Sequence, residues 1–400
     1  MSPMSPDPST AVPDPPAGEI LAVPPAHGPA PPSAAGPRYV VLPADPERDA
    51  ETIRRLWHRN LPEVSPQRYD WLYRSGAAEA WVLRGPGGDV VGSTGLMRRR
   101  MKLFGELRPA GQAVDLNVDR AHRFATPALL LQRAVTAAAH DGRAEAIYGF
   151  ANTNSAALLR RAGYRPLGEL QRWVKPLRMG PSLRARYGKG PLWNLGADLA
   201  LRLLGWASPE TYRYRRGPGR FEAIEQFDER FDALWAAASP RFPIVGERTA
   251  DYLRWRFTRS PDGPYEVLGL CDARQSLRAY LVYRHHGSYV YLSDFFGVEP
   301  PACCTLLAEL IRRARREGTE AVATFWLGPA RVAQTLQRFG FRRRSSGLTT
   351  LLAASGKTSE VLKTSEVSRT ASERPGVDPA RRFDPESWYL TAADLDVDAF

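Results

Sequence analysis

The chain has 400 residues, 43% of them apolar, and a net charge of +12; that length exceeds one ordinary core and makes two domains the expectation. No run of about 18 apolar residues is present and the N-terminus lacks the basic-then-apolar order of a signal peptide, which argues against a transmembrane segment and Sec-type export and for a cytoplasmic location. Cys271, Cys303 and Cys304 are an odd trio, two of them adjacent, and read as reduced thiols rather than a disulfide framework or zinc site.

The charge is unevenly spread: residues 1–37 contribute −3 and residues 384–400 contribute −5, so the middle of the chain carries +20. An excess of this sign favours anionic partners. Only five of the 55 basic residues are Lys, however, and abundant Arg, Ala, Pro and Gly are also what a GC-rich genome encodes. No DNA partner is expected on charge alone.

Residues 1–37 hold twelve prolines and no aromatic residue, the composition of a disordered, partly polyproline-like tail. A strand at Tyr39–Leu42 and a helix near 47–59 follow, then strands near 80–84, 89–98 and 111–118. The last two are joined by a long hairpin containing MRRRMK at 97–102, which reads as a solvated sheet edge or as a dock for an anionic acceptor. Strict alternation puts Val114, Leu116 and Val118 on a core face and Asp115 and Asn117 on the other. Thr126 reads as the N-cap of the next helix, Pro127 as its first residue and Asp141-Gly142 as its end. A strand at Ala146–Phe150, a helix at Ser155–Arg161 stopping at Gly163, and a closing pair of strands over 164–175 complete the unit. Within the linker at 179–220, PLWNLGADLALRLLGW reads as a helix packed between domains, with a membrane-surface role, favoured by Arg184, Arg186 and Arg202, as the alternative.

Three echoes reveal an internal duplication. Leu159-Arg-Arg-Ala-Gly163-Tyr164-Arg165 returns as Leu336-Gln-Arg-Phe-Gly340-Phe341-Arg342; Trp71-Leu-Tyr73 returns as Trp255-Arg-Phe257; Leu56-Trp57 returns as Leu234-Trp235. Their offsets of 177, 184 and 178 residues keep one order along the chain. The expectation is two tandem α/β domains at 38–178 and 221–353, each a mixed, mostly antiparallel sheet flanked by helices. A flexible low-complexity insertion at 354–383, with KTSEV twice, and an acidic tail at 384–400 end the chain.

Common catalytic motifs are missing. SGKT at 355–358 lacks the upstream glycine of a phosphate loop, its place being taken by Leu351, and no G-x-S-x-G elbow exists. The six His show no ligand spacing, and Asp394-Leu-Asp396-Val-Asp398 lacks the Gly and Glu of a calcium loop. No metal site is expected.

The order of strands and helices resembles the GNAT acyltransferase superfamily. Val118-Asp-Arg-Ala-His-Arg123 has the spacing of that family's V-x-P-x-x-R, with Arg120 at the Pro position. Arg123-Phe-Ala-Thr126-Pro-Ala128 follows its R/Q-x-x-G-x-G/A loop, with Thr126 in place of the Gly, and Asn152 stands eleven residues before Gly163 as the family pattern has it. The resemblance implies two GNAT-like acyl-CoA acyltransferase domains and acetyl-CoA or another acyl-CoA as co-substrate. Contacts to it are expected from Leu116, Val118, Arg123, Phe124, Ala125, Thr126, Ala128, Leu129 and Asn152. Helix-start amides attract phosphate without requiring glycine. Asp115 is the candidate general base, accepting a proton from a small-molecule, sugar or peptide amine. The family's general-acid Tyr position holds Leu159, and Leu336 in the second copy. That copy also has Pro329 at the Asn position and no phosphate-loop pattern, so it reads as degenerate. The activity implied is N-acyl transfer. A non-catalytic binding protein of this fold, and a Fem-like transferase using aminoacyl-tRNA, are the alternatives.

Overall fold

The computed structural model describes residues 39–61, 64–188, 190–214, 219–354 and 379–395. The tail expected at 1–37 and most of the expected insertion, SGKT included, lie outside the described residues. In the first half, β1 (Val40–Pro43), α1 (Ala50–Asn60), β2 (Ala78–Arg84), β3 (Val90–Leu103), β4 (Glu106–Val118), α2 (Ala125–His140), β5 (Ala146–Ala151), α3 (Thr153–Arg161), β6 (Arg165–Glu169) and β7 (Gln171–Pro176) follow one another. α4 (Pro181–Tyr187), α5 (Pro191–Trp206) and α6 (Pro209–Tyr212) connect them to β8 (Arg220–Ile224), α7 (Glu229–Ala238), β9 (Ile244–Gly246), α8 (Ala250–Leu253), β10 (Glu266–Cys271), β11 (Leu277–His286) and β12 (Tyr289–Gly297). α9 (Pro300–Arg316), β13 (Ala321–Trp326), α10 (Ala330–Arg338), β14 (Arg342–Arg344), β15 (Thr349–Ala354) and β16 (Trp388–Tyr389) complete the described chain.

Helices form where apolar residues recur with helical period. Ile53, Leu56 and Trp57 are buried under α1, and Leu307, Leu310, Ile311 and Ala314 under α9, whose last turn places Arg313, Arg315 and Arg316 at the negative end of the helix dipole. The first sheet runs β1-β2-β3-β4-β5-β15-β6 and the second β14-β7-β13-β12-β11-β10-β8. The first sheet also takes in β9, beside β3, and β16, beside β9; both sheets are antiparallel except for β4 with β5 and β9 with β16 in the first and β12 with β13 in the second.

Residues 164–175 therefore do not form a closing pair. β7 pairs with β13 and β14 in the second sheet, while β15, from the end of the second half, inserts between β5 and β6 in the first. Only Leu170 separates β6 from β7, fewer residues than the two of the tightest common hairpin. The chain has to leave the first sheet there, and the two halves are locked together by a reciprocal exchange of strands.

The repeated Trp residues meet each other. Trp71 and Trp255 lie in equivalent π-helical turns, Asp70–Arg74 and Arg254–Thr258, and their rings stack at 4.6 Å and 12°. Trp71 Nε1 also donates to the Trp255 carbonyl at 3.1 Å. Contact between equivalent residues is what an isologous arrangement of two copies produces.

Three more expectations are corrected. MRRRMK is not a solvated edge: β9 pairs with Met101–Leu103, and Met97, Arg99 and Met101 are buried, leaving only the alternate residues Arg98 and Arg100 exposed. Residues 384–395 are not an exposed acidic tail, because Trp388, Tyr389, Leu390 and Asp394 are buried and β16 pairs with β9. The linker helix forms as α5, yet its apolar stripe faces outward instead of packing between the halves.

Candidate functional site

β4 and β5 are paired only where Ala110–Gln112 meet Ala146–Tyr148. Beyond that point β5 continues on β15 to Ala151 and β4 continues on β3 to Val118, so the two part and leave a notch. Its walls are Ala113–Val118 and Gly149–Ala151, and the starts of α2 and α3 stand at its mouth.

α2 begins earlier than the sequence pattern indicates. Its N-cap is Phe124, extended and without a side-chain cap bond, so Ala125, Thr126 and Pro127 are the first three helical residues and Thr126 is not the cap. The donors without intrahelical acceptors are consequently the amides of Ala125 and Thr126, both in exposed residues, whereas those of Ala128, Leu129 and Leu130 are within reach of carbonyls one turn back. Arg123 is exposed, and its Nε donates to the Val118 carbonyl at 2.9 Å, which holds the guanidinium beside the end of β4. No acidic residue lies in the first turn of α2. These features make an anion site from amides, dipole and guanidinium.

The other expected contacts divide. Phe124 is 52% exposed and packs edge-on to Tyr39, 5.7 Å between centroids. Asn152 caps α3, its Oδ1 accepting from Asn154 N at 3.1 Å and Ser155 N at 3.0 Å, and its amide group remains at the mouth. Val118 and Leu129 are buried core residues, and Leu116 and Ala128 pack on the same cluster under α2. For Val118 and Leu129 only the backbone is available to a ligand, whereas Leu116 and Ala128 are partly exposed.

Asp115 departs most from expectation. A bulge opposite Thr94 gives it φ +53° and breaks the alternation, so Val114 packs with Tyr69, Trp71 and Tyr73 on the α1 side while Leu116 and Val118 pack under α2. The carboxylate is occupied at both oxygens: Arg68 Nε and Nη2 each donate to Oδ1 at 3.0 Å, and Tyr73 Oη donates to Oδ2 at 2.8 Å. Asn117 Nδ2 donates to the Leu56 carbonyl at 3.4 Å. Sequence reading missed Arg68, although the buried pair recurs in the second copy as Arg248 with Asp294, at nearly the same offset as the three echoes. Gly95 makes the arrangement possible, since a methyl there would collide with the Tyr73 hydroxyl. Gly95→Ala is expected to cost about 1–3 kcal/mol in a denaturant titration, the usual penalty of overpacking.

The equivalent place in the second copy is closed. β12 and β13 part after Leu292 and Thr324, and Tyr389 fills the opening, its ring 4.8 Å from that of Trp326 and its hydroxyl donating to the Phe295 carbonyl. α9 opens with Pro300 and Pro301, which have no N–H, behind Glu299. Glu386 accepts from Ala330 N, the first amide of α10, at 2.9 Å. The 80 Å³ pocket left beside α9 is mostly apolar, and desolvation pushes the Cys303 thiol at its wall up to about 12, leaving no reactive thiolate.

A larger cavity of 630 Å³ borders Pro109 and Ala110, just below the notch, and reaches Glu247, Tyr252 and Trp255 of the second half. Arg98, Arg100 and Arg143 line it together with Glu79 and Asp251. Among the described residues no group of three or more His, Cys, Asp or Glu could hold a metal ion.

No family model matches the chain, and no curated protein matches it. Solved structures do. A probable N-acyltransferase of unknown function from Enterococcus faecalis V583 superposes with a TM-score of 0.59 at 9% identity, over 80% of this chain and 72% of that one. A GCN5-related N-acetyltransferase from Anabaena variabilis gives 0.59 at 10%, over 80% and 73%. Saccharomyces cerevisiae N-myristoyltransferase with bound myristoyl-CoA gives 0.51 at 12%, over 78% of each chain. With two sheets that each part beside a helix start, and with these neighbours, the chain has the GNAT fold, built twice in tandem.

Proposed function

We propose that the chain is an acyl-CoA-dependent N-acyltransferase whose co-substrate binds the first copy. The observation that carries this reading is the contrast between the two helix starts: α2 offers the Ala125 and Thr126 amides and Arg123 beside an open notch, whereas α9 offers prolines and a glutamate beside a filled one. The coenzyme pyrophosphate would lie on the α2 amides and Arg123, with Phe124 and Asn152 at the rim and the backbone of Leu116, Val118, Ala128 and Leu129 behind. Its pantetheine would enter between β4 and β5, where unpaired strand amides polarise the thioester carbonyl. The acceptor amine attacks that carbon, the C–N bond forms, the C–S bond breaks, and the thiolate leaves. A thiol pKa of about 8.5 makes the thiolate a tolerable leaving group without the acid that Leu159 cannot supply. Because both Asp115 oxygens are occupied, its part is to position Tyr73 and the bulge, and the amine proton passes to water.

One observation favours the non-catalytic alternative: the first copy lacks a free carboxylate at the position expected for the base. Calorimetry with acetyl-CoA, longer acyl-CoAs and tRNA decides among the readings. Acyl-CoA binding tighter than about 1 mM is expected, with Arg123→Ala several-fold weaker through loss of a charge-assisted contact worth about 1.5–3 kcal/mol. Binding of tRNA alone would overturn the proposal in favour of aminoacyl transfer. Acyl-CoA binding without turnover on any amine would leave a binding protein.

A further inference from the structure

α5 is built inside out. Leu192, Leu195, Leu199, Leu203 and Trp206 recur at spacings that align them on one helix face, and all five are 51–84% exposed. The opposite face turns inward: Asp198 Oδ1 accepts from Met179 N at 3.0 Å, and Gly205 lies against the Arg315 guanidinium. Trp193, Ala200 and Leu204, also exposed, widen the outward stripe to about half the circumference, and Tyr212 of α6 continues it. Eight of the thirteen exposed large apolar side chains among the described residues fall within α5 and α6, which makes this a patch and not scatter.

Its surroundings are cationic. Arg184, Arg202 and Arg213 are exposed around the stripe, whereas Glu210 is buried on Lys175 and Arg315, and Asp198 is half-buried on Arg202. No exposed carboxylate is present on α4, α5 or α6. We propose that this face docks the protein on an anionic phospholipid surface, with α5 lying flat and its Trp residues at the headgroup level. A helix of 16 residues is about 24 Å long, less than a bilayer core of about 30 Å, and no described helix is long and apolar enough to cross a membrane. A second copy of the chain is the poorer occupant. An isologous contact would bring the two rims of Arg together, and a helix-pairing seam is narrower and flanked by charges of both signs. A basic rim around a broad apolar face instead matches anionic lipid.

The test is co-sedimentation of the full chain with phosphatidylcholine vesicles, with and without about 30% phosphatidylglycerol. Binding to the anionic vesicles is expected to exceed binding to the neutral ones by about tenfold and to weaken as salt is raised. The double variant Leu199→Glu, Leu203→Glu should lose that binding while keeping its melting temperature, since both side chains are exposed. No binding to anionic vesicles, or binding untouched by the double variant, overturns the proposal. Self-association in sedimentation velocity that the same variant abolishes, without vesicle binding, assigns the face to a second copy instead.

Discussion

Asp394→Asn is expected to destabilise the whole chain by about 3–5 kcal/mol, the cost of leaving a buried charge unpaired. The Asp394 carboxylate receives Arg248 Nη2 at 2.6 Å, Arg248 Nη1 at 3.1 Å and Arg99 Nη2 at 3.0 Å, and all three side chains are at most 1% exposed. Burial works against the Arg248 charge, yet Asp294 and Asp394 hold the guanidinium well above its ordinary pKa. Gly246 makes room for this cluster, since a Cβ there would lie within 2.8 Å of Arg99, Asp394 and Arg248. The amide keeps the shape and some hydrogen bonds but removes the charge that two guanidiniums share. Arg99, lying over the Tyr252 ring at 4.1 Å, would keep that cation–π contact but lose its charged partner. Equilibrium denaturation of the variant measures the loss, and a change below about 1 kcal/mol would mean that the cluster is hydrated in solution.

The second large effect separates binding from stability at the helix start. Thr126→Asp is expected to leave the melting temperature unchanged or raise it, because a carboxylate in the first turn of a helix contributes about 0.3–1 kcal/mol. The same carboxylate would compete with pyrophosphate for the Ala125 and Thr126 amides and repel it, weakening acyl-CoA by about a hundredfold, or roughly 2.7 kcal/mol. Calorimetry and thermal melting on one preparation read both quantities. Unchanged affinity would remove the α2 start from the coenzyme site, whereas loss of stability would show that the Thr126 hydroxyl has a structural partner. Thr126→Val, which would cost about 1 kcal/mol were Thr126 the cap, is expected to change stability by less than about 0.5 kcal/mol.

The elements around the candidate site were legible because each depends on its neighbours in sequence. Strand and helix periods, Asp141-Gly142 after α2 and Gly163 after α3 are local signals, and three short echoes exposed the duplication. The start of α2 was misplaced because Thr126-Pro127 carries a strong cap signature that also suits the second and third helical positions when the preceding residues are extended. The Asp115 bulge was invisible because β4 reads as regular alternation until β3 imposes a register with one residue fewer.

What the sequence determined by itself is the order of the elements around the candidate site, the two copies and the difference in chemistry between their helix starts, each read from residues within a few positions of one another. The tertiary structure decided which strand joins which sheet, which charges are buried and which apolar face is left outside. β15 completes the first sheet beside β5, and Asp394 meets Arg99 across 295 residues of chain. Acidic residues near a terminus read as solvated until a buried guanidinium is placed opposite them, and the stripe of α5 reads as core until the sheets have packed without it. Burial and pairing belong to the partner as much as to the segment, and a partner distant in sequence leaves no mark on the segment's own pattern.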